Sequence, residues 1–247
     1  MKRLTVLFLL AFTTLESYGQ VDTISTSNGD LIIQPILHGS LVLSWNDQTV
    51  YIDPYGGAEK FAGLKRPSLI LITDIHGDHL NQKTLDGLNT ERSTFIVPQA
   101  VKNKLPDAMK SRSMAIANGQ TVVFEDIEIL AIPMYNLPET PDSRHTKGRG
   151  NGYVLSIGGK RIYISGDTED IPEMRNLKNI DVAFVCMNLP YTMDVDQAAS
   201  AVIEFKPTIV YPYHYRGKGG LSDVESFKNQ VESAVSTEVR LRSWYPN

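Results

Sequence analysis

Apolar positions along the chain fall in short runs bounded by turn-forming residues. "LIIQPIL" (31–37), "SLVLSW" (40–45) and "TVYIDPY" (49–55) predict three successive strands, with Asn46, Asp47 and Gln48 turning the chain between the last two. "SLILIT" (68–73) is apolar almost throughout, the pattern of a strand covered on both faces. "STFIVP" (93–98), "TVVF" (121–124) and "IEILAI" (127–132) follow, the last two joined by an acidic turn. "GYVLSI" (152–157) and "RIYISG" (161–166) flank Gly158-Gly159-Lys160, which reads as a tight hairpin. "DVAFVC" (181–186) and "TIVYPY" (208–213) complete the series as buried strands.

Helical periodicity appears between strands. Residues 81–88 look helical, and in 194–205 the apolar side chains Val195, Ala198, Ala199, Val202 and Phe205 recur at helix spacing. Asp194 is the expected N-cap there, with Pro207 just past the end. Near the C-terminus, Ser222 with Glu225 three residues on has the form of a capping box. There is no internal repeat, low-complexity segment or linker, so residues 21–247 are expected to form one domain. Many strands with helices in two places argue for an α/β sandwich.

Composition narrows the function classes. Net charge is −4 with acids and bases interspersed, so no nucleic-acid partner is expected. Residues 1–20 combine Lys2 and Arg3, an apolar stretch from Leu4 to Phe12 and small or polar residues before Gln20, the layout of a secretory signal cleaved near Gly19 or Gln20. That stretch is too short to span a bilayer, so a periplasmic or secreted protein without a membrane anchor is expected. Cys186 is the only cysteine, which rules out an intramolecular disulfide.

The chemistry concentrates in "ITDIHGDHL" (72–80), where Asp74, His76, Asp78 and His79 crowd the end of a strand, with Gly77 allowing a tight turn. The chain has five histidines, and His145 and His214 also lie next to predicted strands, as does Asp167 in "YISGDTED". Strand ends are where open sheets place their ligand sites. Imidazole and carboxylate groups together bind Zn²⁺ and similar ions. A closed structural zinc site generally uses thiolates, so a water-holding catalytic site fits better. The glycines of "GRGNG" (148–152) lack the strand-to-helix context of a phosphate cradle and read as a flexible loop.

In their order and spacing these segments resemble the metallo-β-lactamase superfamily, whose motif is His-x-His-x-Asp-His, then a histidine, an aspartate in Gly-Asp-Thr, and a last histidine. Here the pieces are Asp74-x-His76-x-Asp78-His79, His145, Gly166-Asp167-Thr168 and His214. "HGSLVLSWNDQTVYIDPY" and "KPTIVYPYHY" are similar to the branch containing ascorbate 6-phosphate lactonase-like proteins. The resemblance implies a four-layer αββα sandwich and a site for two divalent ions, Zn²⁺ with Mn²⁺ or Fe²⁺ as alternatives. His76, His145 and Asp74 would hold one ion; Asp78, His79 and His214 the other; Asp167 would bridge them. A water shared between the ions would become the nucleophile, with Asp78 orienting it.

Two departures stand out. Asp74 replaces the family's first histidine, which shifts preference toward harder ions. The middle histidine is displaced: Asn136 occupies its place after "PMY", and His145 is the alternative nine residues on. The reading is a metal-dependent hydrolase acting on an ester, lactone or phosphodiester of a small molecule, with Tyr135, Tyr191, Tyr213 and Arg216 as pocket-lining candidates. The alternative is a non-catalytic or single-metal binding protein that keeps the fold.

Overall fold

Two seven-stranded sheets face each other in the computed structural model, which describes residues 20–245. The expected signal segment, 1–19, lies outside the described residues. The first sheet runs in chain order: β1 (Asp22–Ser25), β2 (Asp30–Leu37), β3 (Ser40–Trp45), β4 (Gln48–Ile52), β5 (Leu69–Leu71), β6 (Thr94–Val97) and β7 (Ser113–Ala115). The second contains β8 (Thr121–Phe124), β9 (Ile127–Met134), β10 (Gly150–Ile157), β11 (Lys160–Ile164), β12 (Val182–Cys186) and β13 (Ile209–Tyr213). A small hairpin follows, β14 (Arg216–Gly217) with β15 (Gly220–Leu221), and β16 (Glu238–Val239) closes the second sheet beside β13.

Each sheet begins antiparallel and ends parallel: β4 through β7 in the first, β11, β12, β13 and β16 in the second. Parallel neighbours need crossovers, and helices provide them. α1 (Gln82–Gly87) follows β5; α2 (Gln99–Lys104) and α3 (Asp107–Lys110) follow β6. In the second half, α4 (Pro172–Arg175), α5 (Val195–Phe205) and α6 (Val224–Ala234) link the parallel strands.

The apolar runs explain the layering. Leu69 and Leu71 of β5 join the core between the sheets, while Ile70 and Ile72 face outward with Leu85, Val101 and Met109 from α1, α2 and α3. On the far side, Ala198, Val202 and Phe205 of α5 and Phe227 and Val231 of α6 pack on the second sheet. The result is the expected αββα arrangement. Each fully buried Leu or Ile stabilises it by roughly 1.5–3 kcal/mol.

The predicted elements hold, with a few shifts. β5 stops at Leu71, two residues short of the apolar run, because Thr73 turns its backbone N–H and hydroxyl to Asp53. Asp194 caps α5 in a full capping box with Gln197. The cap of α6 is Asp223, not Ser222; the Ser222 hydroxyl donates instead to the Met187 carbonyl. Among the described residues no helix is long and apolar enough to cross a membrane.

Candidate metal centre

The C-terminal ends of β4, β5, β11 and β13 converge at one edge of the sandwich, and the loops leaving them carry the titratable cluster. The loop after β5 is short and braced at both ends. Asp53, at the end of β4, accepts from Thr73 N at 2.7 Å and Thr73 Oγ1 at 2.6 Å. At the far end Asn81 caps α1 by accepting from Thr84 N at 3.0 Å. Between them His79 N and Leu80 N donate to the His76 carbonyl at 3.0 and 2.8 Å, a tight turn that sends Asp74 and His76 to one donor group, with His145, and Asp78 and His79 to others shared with His214. Gly77 is not in a left-handed conformation, so the turn does not depend on it.

The opposing loops complete the cluster. His214, just past β13, has its backbone N–H bonded to the His38 carbonyl at 3.1 Å. Gly39 permits that approach, since a Cβ there would lie 3.0 Å from His214 Cδ2 and 3.4 Å from His79 Cε1. His145 is pinned by Asn136, which accepts from its backbone N at 2.8 Å and lies 3.1 Å from Nδ1. The two residues that the sequence left as alternatives are thus neighbours: His145 points into the cluster and Asn136 holds it from behind.

All seven expected residues come together. Asp167 Oδ2 lies 3.2 Å from His79 Nε2 and 3.3 Å from His145 Nε2, and its Oδ1 lies 3.3 Å from His214 Nε2. Asp78 Oδ2 is 3.5 Å from His214 Nε2, and Asp74 Oδ2 is 2.7 Å from His76 Nδ1. His76 Nδ1, His145 Nε2 and Asp167 Oδ1 are buried without a hydrogen-bond partner. Leaving such groups unpaired costs roughly 1–3 kcal/mol each, and cations at the two clusters they belong to, Asp74–His76–His145 and His79–Asp167–His214, would satisfy them. Imidazole nitrogen and carboxylate oxygen are fitting donors for a divalent ion.

The electrostatics agree with that fit. Burial raises the Asp167 carboxyl, but His214 and His79 outweigh it and hold the group well below the usual range. Burial raises Asp78 too, yet His214, His38 and His79 pull it down. Asp74 is brought down to about 2, burial being overcome by the His76 ring, His79 and Arg149. Burial lowers His79, but the Asp167 and Asp53 carboxylates raise it well above the imidazole range. A cation binding beside His79 would release that proton.

Several participants lie outside the sequence reading. Asp53 Oδ2 is 2.8 Å from His79 Nδ1, the second-layer contact that leaves Nε2 for the cluster. Asn188 Nδ2 meets His214 Nδ1 at 3.1 Å. Arg149 pairs with Asp74 through two contacts, at 3.0 and 2.9 Å. His38 Nε2 is 3.2 Å from Asp78 Oδ2, and its Nδ1 is 2.6 Å from the Tyr245 hydroxyl. Both His38 and Asp53 lie in the stretch "HGSLVLSWNDQTVYIDPY" that carries part of the resemblance, Asp53 inside the third predicted strand and His38 just past the first, but no metal-ligand spacing marks either one.

Three expectations need correction. Tyr135 and Tyr213 do not line a pocket: both are buried, Tyr135 donating to Glu173 at 2.9 Å and Tyr213 accepting from Gly166 N at 3.0 Å. Tyr191 lies beneath the Arg144 guanidinium, 4.4 Å from the ring centre. Arg216 does line a groove of about 140 Å³, with Leu37, His38, Tyr55 and Tyr245. "GRGNG" is not a flexible loop, because residues from Gly150 onward form β10.

Comparison with known proteins agrees with this architecture. Residues 33–214 match the beta-lactamase superfamily domain family. The chain is 28% identical to a metal-dependent hydrolase of Pyrococcus abyssi over 192 residues, covering 74% of this chain and 84% of that one. It is 30% identical to a metal-dependent hydrolase of Thermoplasma acidophilum over 193 residues, covering 73% and 82%. A crystal structure of a protein assigned as a metal-dependent hydrolase, from Parabacteroides distasonis, superposes with a TM-score of 0.81 at 37% identity, covering 91% of this chain and 99% of that one. A family match across most of the sandwich, on a chain whose strand ends gather histidines and aspartates, has one reading: this chain belongs to the beta-lactamase superfamily and is a metal-dependent hydrolase of the metallo-β-lactamase fold.

Proposed function

We propose that the protein cleaves an ester, lactone or phosphodiester bond of a small molecule, using two divalent ions. Asp74, His76 and His145 would hold the first, Asp78, His79 and His214 the second, with Asp167 shared between them. The observation that carries this reading is the pair of donor groups Asp74–His76–His145 and His79–Asp167–His214, in which His76 Nδ1, His145 Nε2 and Asp167 Oδ1 are buried and unpartnered. Divalent ions there supply Lewis acidity, which lowers the pKa of water and polarises the attacked carbonyl or phosphoryl oxygen.

The chain's own residues do the rest. Asp53 and Asn136 fix the His79 and His145 rings so that each Nε2 faces the cluster. Asp78, the more exposed carboxylate, is held by His38 and is suited to orient the attacking water and accept its proton. The neighbouring groove offers the Tyr55 and Tyr245 rings and the Arg216 guanidinium. Those walls suit a substrate with an apolar body and an anionic group. Zn²⁺ is the ion we favour, with Mn²⁺ or Fe²⁺ as alternatives given the carboxylate at 74. The layout of residues 1–20 supports export to the periplasm or beyond.

A second reading, a single-metal protein, draws on Arg149, which takes up both oxygens of Asp74. The test is metal content after purification without chelator, combined with chromogenic esters, lactones and phosphodiesters. We expect two ions per chain and turnover of one class that stops on metal removal. A metal-free protein inert toward all three classes would refute the proposal.

A further inference from the structure

Asp74 occupies the position where the family pattern has histidine, and its carboxylate is gripped from one side. Arg149 Nε donates to Oδ1 at 3.0 Å and Nη2 to Oδ2 at 2.9 Å, a two-pronged contact with fixed geometry. Asp74 is fully buried, while the Arg149 side chain is 20% exposed. The register of the sandwich brings them together. Asn151 N donates to the Thr73 carbonyl at 2.9 Å, so the start of β10 lies against the end of the β5 run. Gly150 makes that possible, because a Cβ there would fall 2.8 Å from Thr73 O. Arg149 is thereby carried across from Asp74.

Asp74 remains directed at the cluster all the same. Its Oδ2 lies 2.7 Å from His76 Nδ1, yet that nitrogen has no hydrogen-bond partner of acceptable geometry. Asp74, His76 and His145 each bring a ligand atom within 4.8 Å of the other two. A carboxylate oxygen carries two lone pairs, so Oδ2 can accept from Nη2 and still offer one to an ion.

We propose that Asp74 and Arg149 act together as a single net-neutral ligand of the first metal position, the pair standing in for a histidine. This rests on the two-ion reading above. An aspartate in place of a neutral imidazole adds one negative charge beside the ion, and Arg149 cancels it. The ion then meets the same net charge as beside a histidine, with an oxygen donor in place of nitrogen. Arg149 is a positioning residue: it orients Asp74 and touches no ion itself. Neither residue is replaceable alone. Histidine at 74 would strand a half-buried guanidinium beside a cation, and loss of Arg149 would leave an unpaired buried carboxylate.

The test is a cycle of wild type, Asp74→His, Arg149→Met and the double variant, with Arg149→Lys as a charge-conserving control and Asp74→Ala as a ligand deletion. Each protein is stripped with chelator and its metal-free melting temperature measured. It is then reloaded with Zn²⁺ or Mn²⁺ alone, and bound metal and affinity are measured. We expect about two ions per chain in the wild type. Asp74→His should fall toward one ion per chain. Arg149→Met should lose at least about 5 °C of metal-free melting temperature. The double variant should recover both properties, with its preference shifted from Mn²⁺ toward Zn²⁺. Arg149→Lys should keep the metal count with a lower melting temperature. Two ions in the wild type, with a double variant no better than its singles, would overturn the paired ligand and leave the two-ion reading standing. One ion in the wild type, unchanged by Asp74→Ala, would overturn both, with the guanidinium then replacing the first ion.

Discussion

The rings of His38 and His214 lie 3.8 Å apart, and both Nε2 atoms face the Asp78 carboxylate, at 3.2 and 3.5 Å. Burial, which favours the neutral ring, holds His38 below the ordinary imidazole value against the pull of Asp78. In that form Nε2–H donates to Asp78 and Nδ1 accepts from the Tyr245 hydroxyl, which itself accepts from Arg216 N at 3.1 Å. His38→Ala should therefore keep its metal and lower turnover by about 10–100-fold, the usual effect of removing a group that orients a catalytic one. Tyr245→Phe should show a smaller loss in the same direction. Steady-state kinetics with parallel metal analysis checks this, and unchanged turnover in His38→Ala would refute it.

Asp53 is buried and serves three groups at once: His79 Nδ1, Thr73 N and Thr73 Oγ1. Asp53→Asn should weaken metal binding by about 10–100-fold. His79→Ala and His214→Ala, which remove proposed ligands outright, should lose the second ion and most activity while the fold persists. Chelator competition ranks the three. Full metal content in both alanine variants would show the assignment to be wrong.

Asp22 on β1 accepts from Tyr211 at 2.7 Å and from Arg242 at 2.9 Å, tying the first strand to the second sheet and the C-terminal segment. Burial raises its carboxyl, but Arg242 and Tyr211 together bring it below the usual value. A depressed carboxyl stabilises the fold above its unfolded pKa and loses that contribution as pH falls through its folded value. Asp22→Asn should thus cost about 1 kcal/mol at pH 7. The gap from wild type should close as pH drops below about 4. Melting curves from pH 7 to pH 3 would show it; a constant gap would contradict the assignment.

The segment from Lys2 to Gly19 has the layout of an export signal. The mature chain should begin near Gln20 or Val21, which intact mass of protein from its native host would reveal. A chain retaining Met1 in the cytoplasmic fraction would contradict it.

The fold was largely legible because its strands are short, continuous apolar runs. "SLILIT" announced a strand covered on both sides, and Leu69 and Ile70 indeed face different layers. Half the cluster was equally plain, since Asp74, His76, Asp78 and His79 share one loop. What stayed hidden depends on pairing across sequence distance. Asp53 is 26 residues from His79, Arg149 is 75 from Asp74, and Tyr245 is 207 from His38. No local pattern marks such partners: Asp53 meets His79 through the parallel pairing of β4 and β5, and Arg149 reaches Asp74 only because the start of β10 lies against the end of the β5 run. Tyr135 and Tyr213 misled for the converse reason: their neighbours on the chain adjoin the site, but their side chains turn into the interior.

The brace between Tyr245 and His38 joins the last described residue to the turn between β2 and β3. During synthesis the loop carrying His76 and His79 leaves the ribosome long before His145, Asp167 and His214 do. A nascent chain thus presents a few scattered donors, which bind an ion weakly and compete poorly with the small-molecule chelators of the cell. Tight loading must wait until translation is essentially finished. For a chain exported before folding, the ion acquired is then the one supplied by the compartment it reaches, whatever the cytoplasm holds.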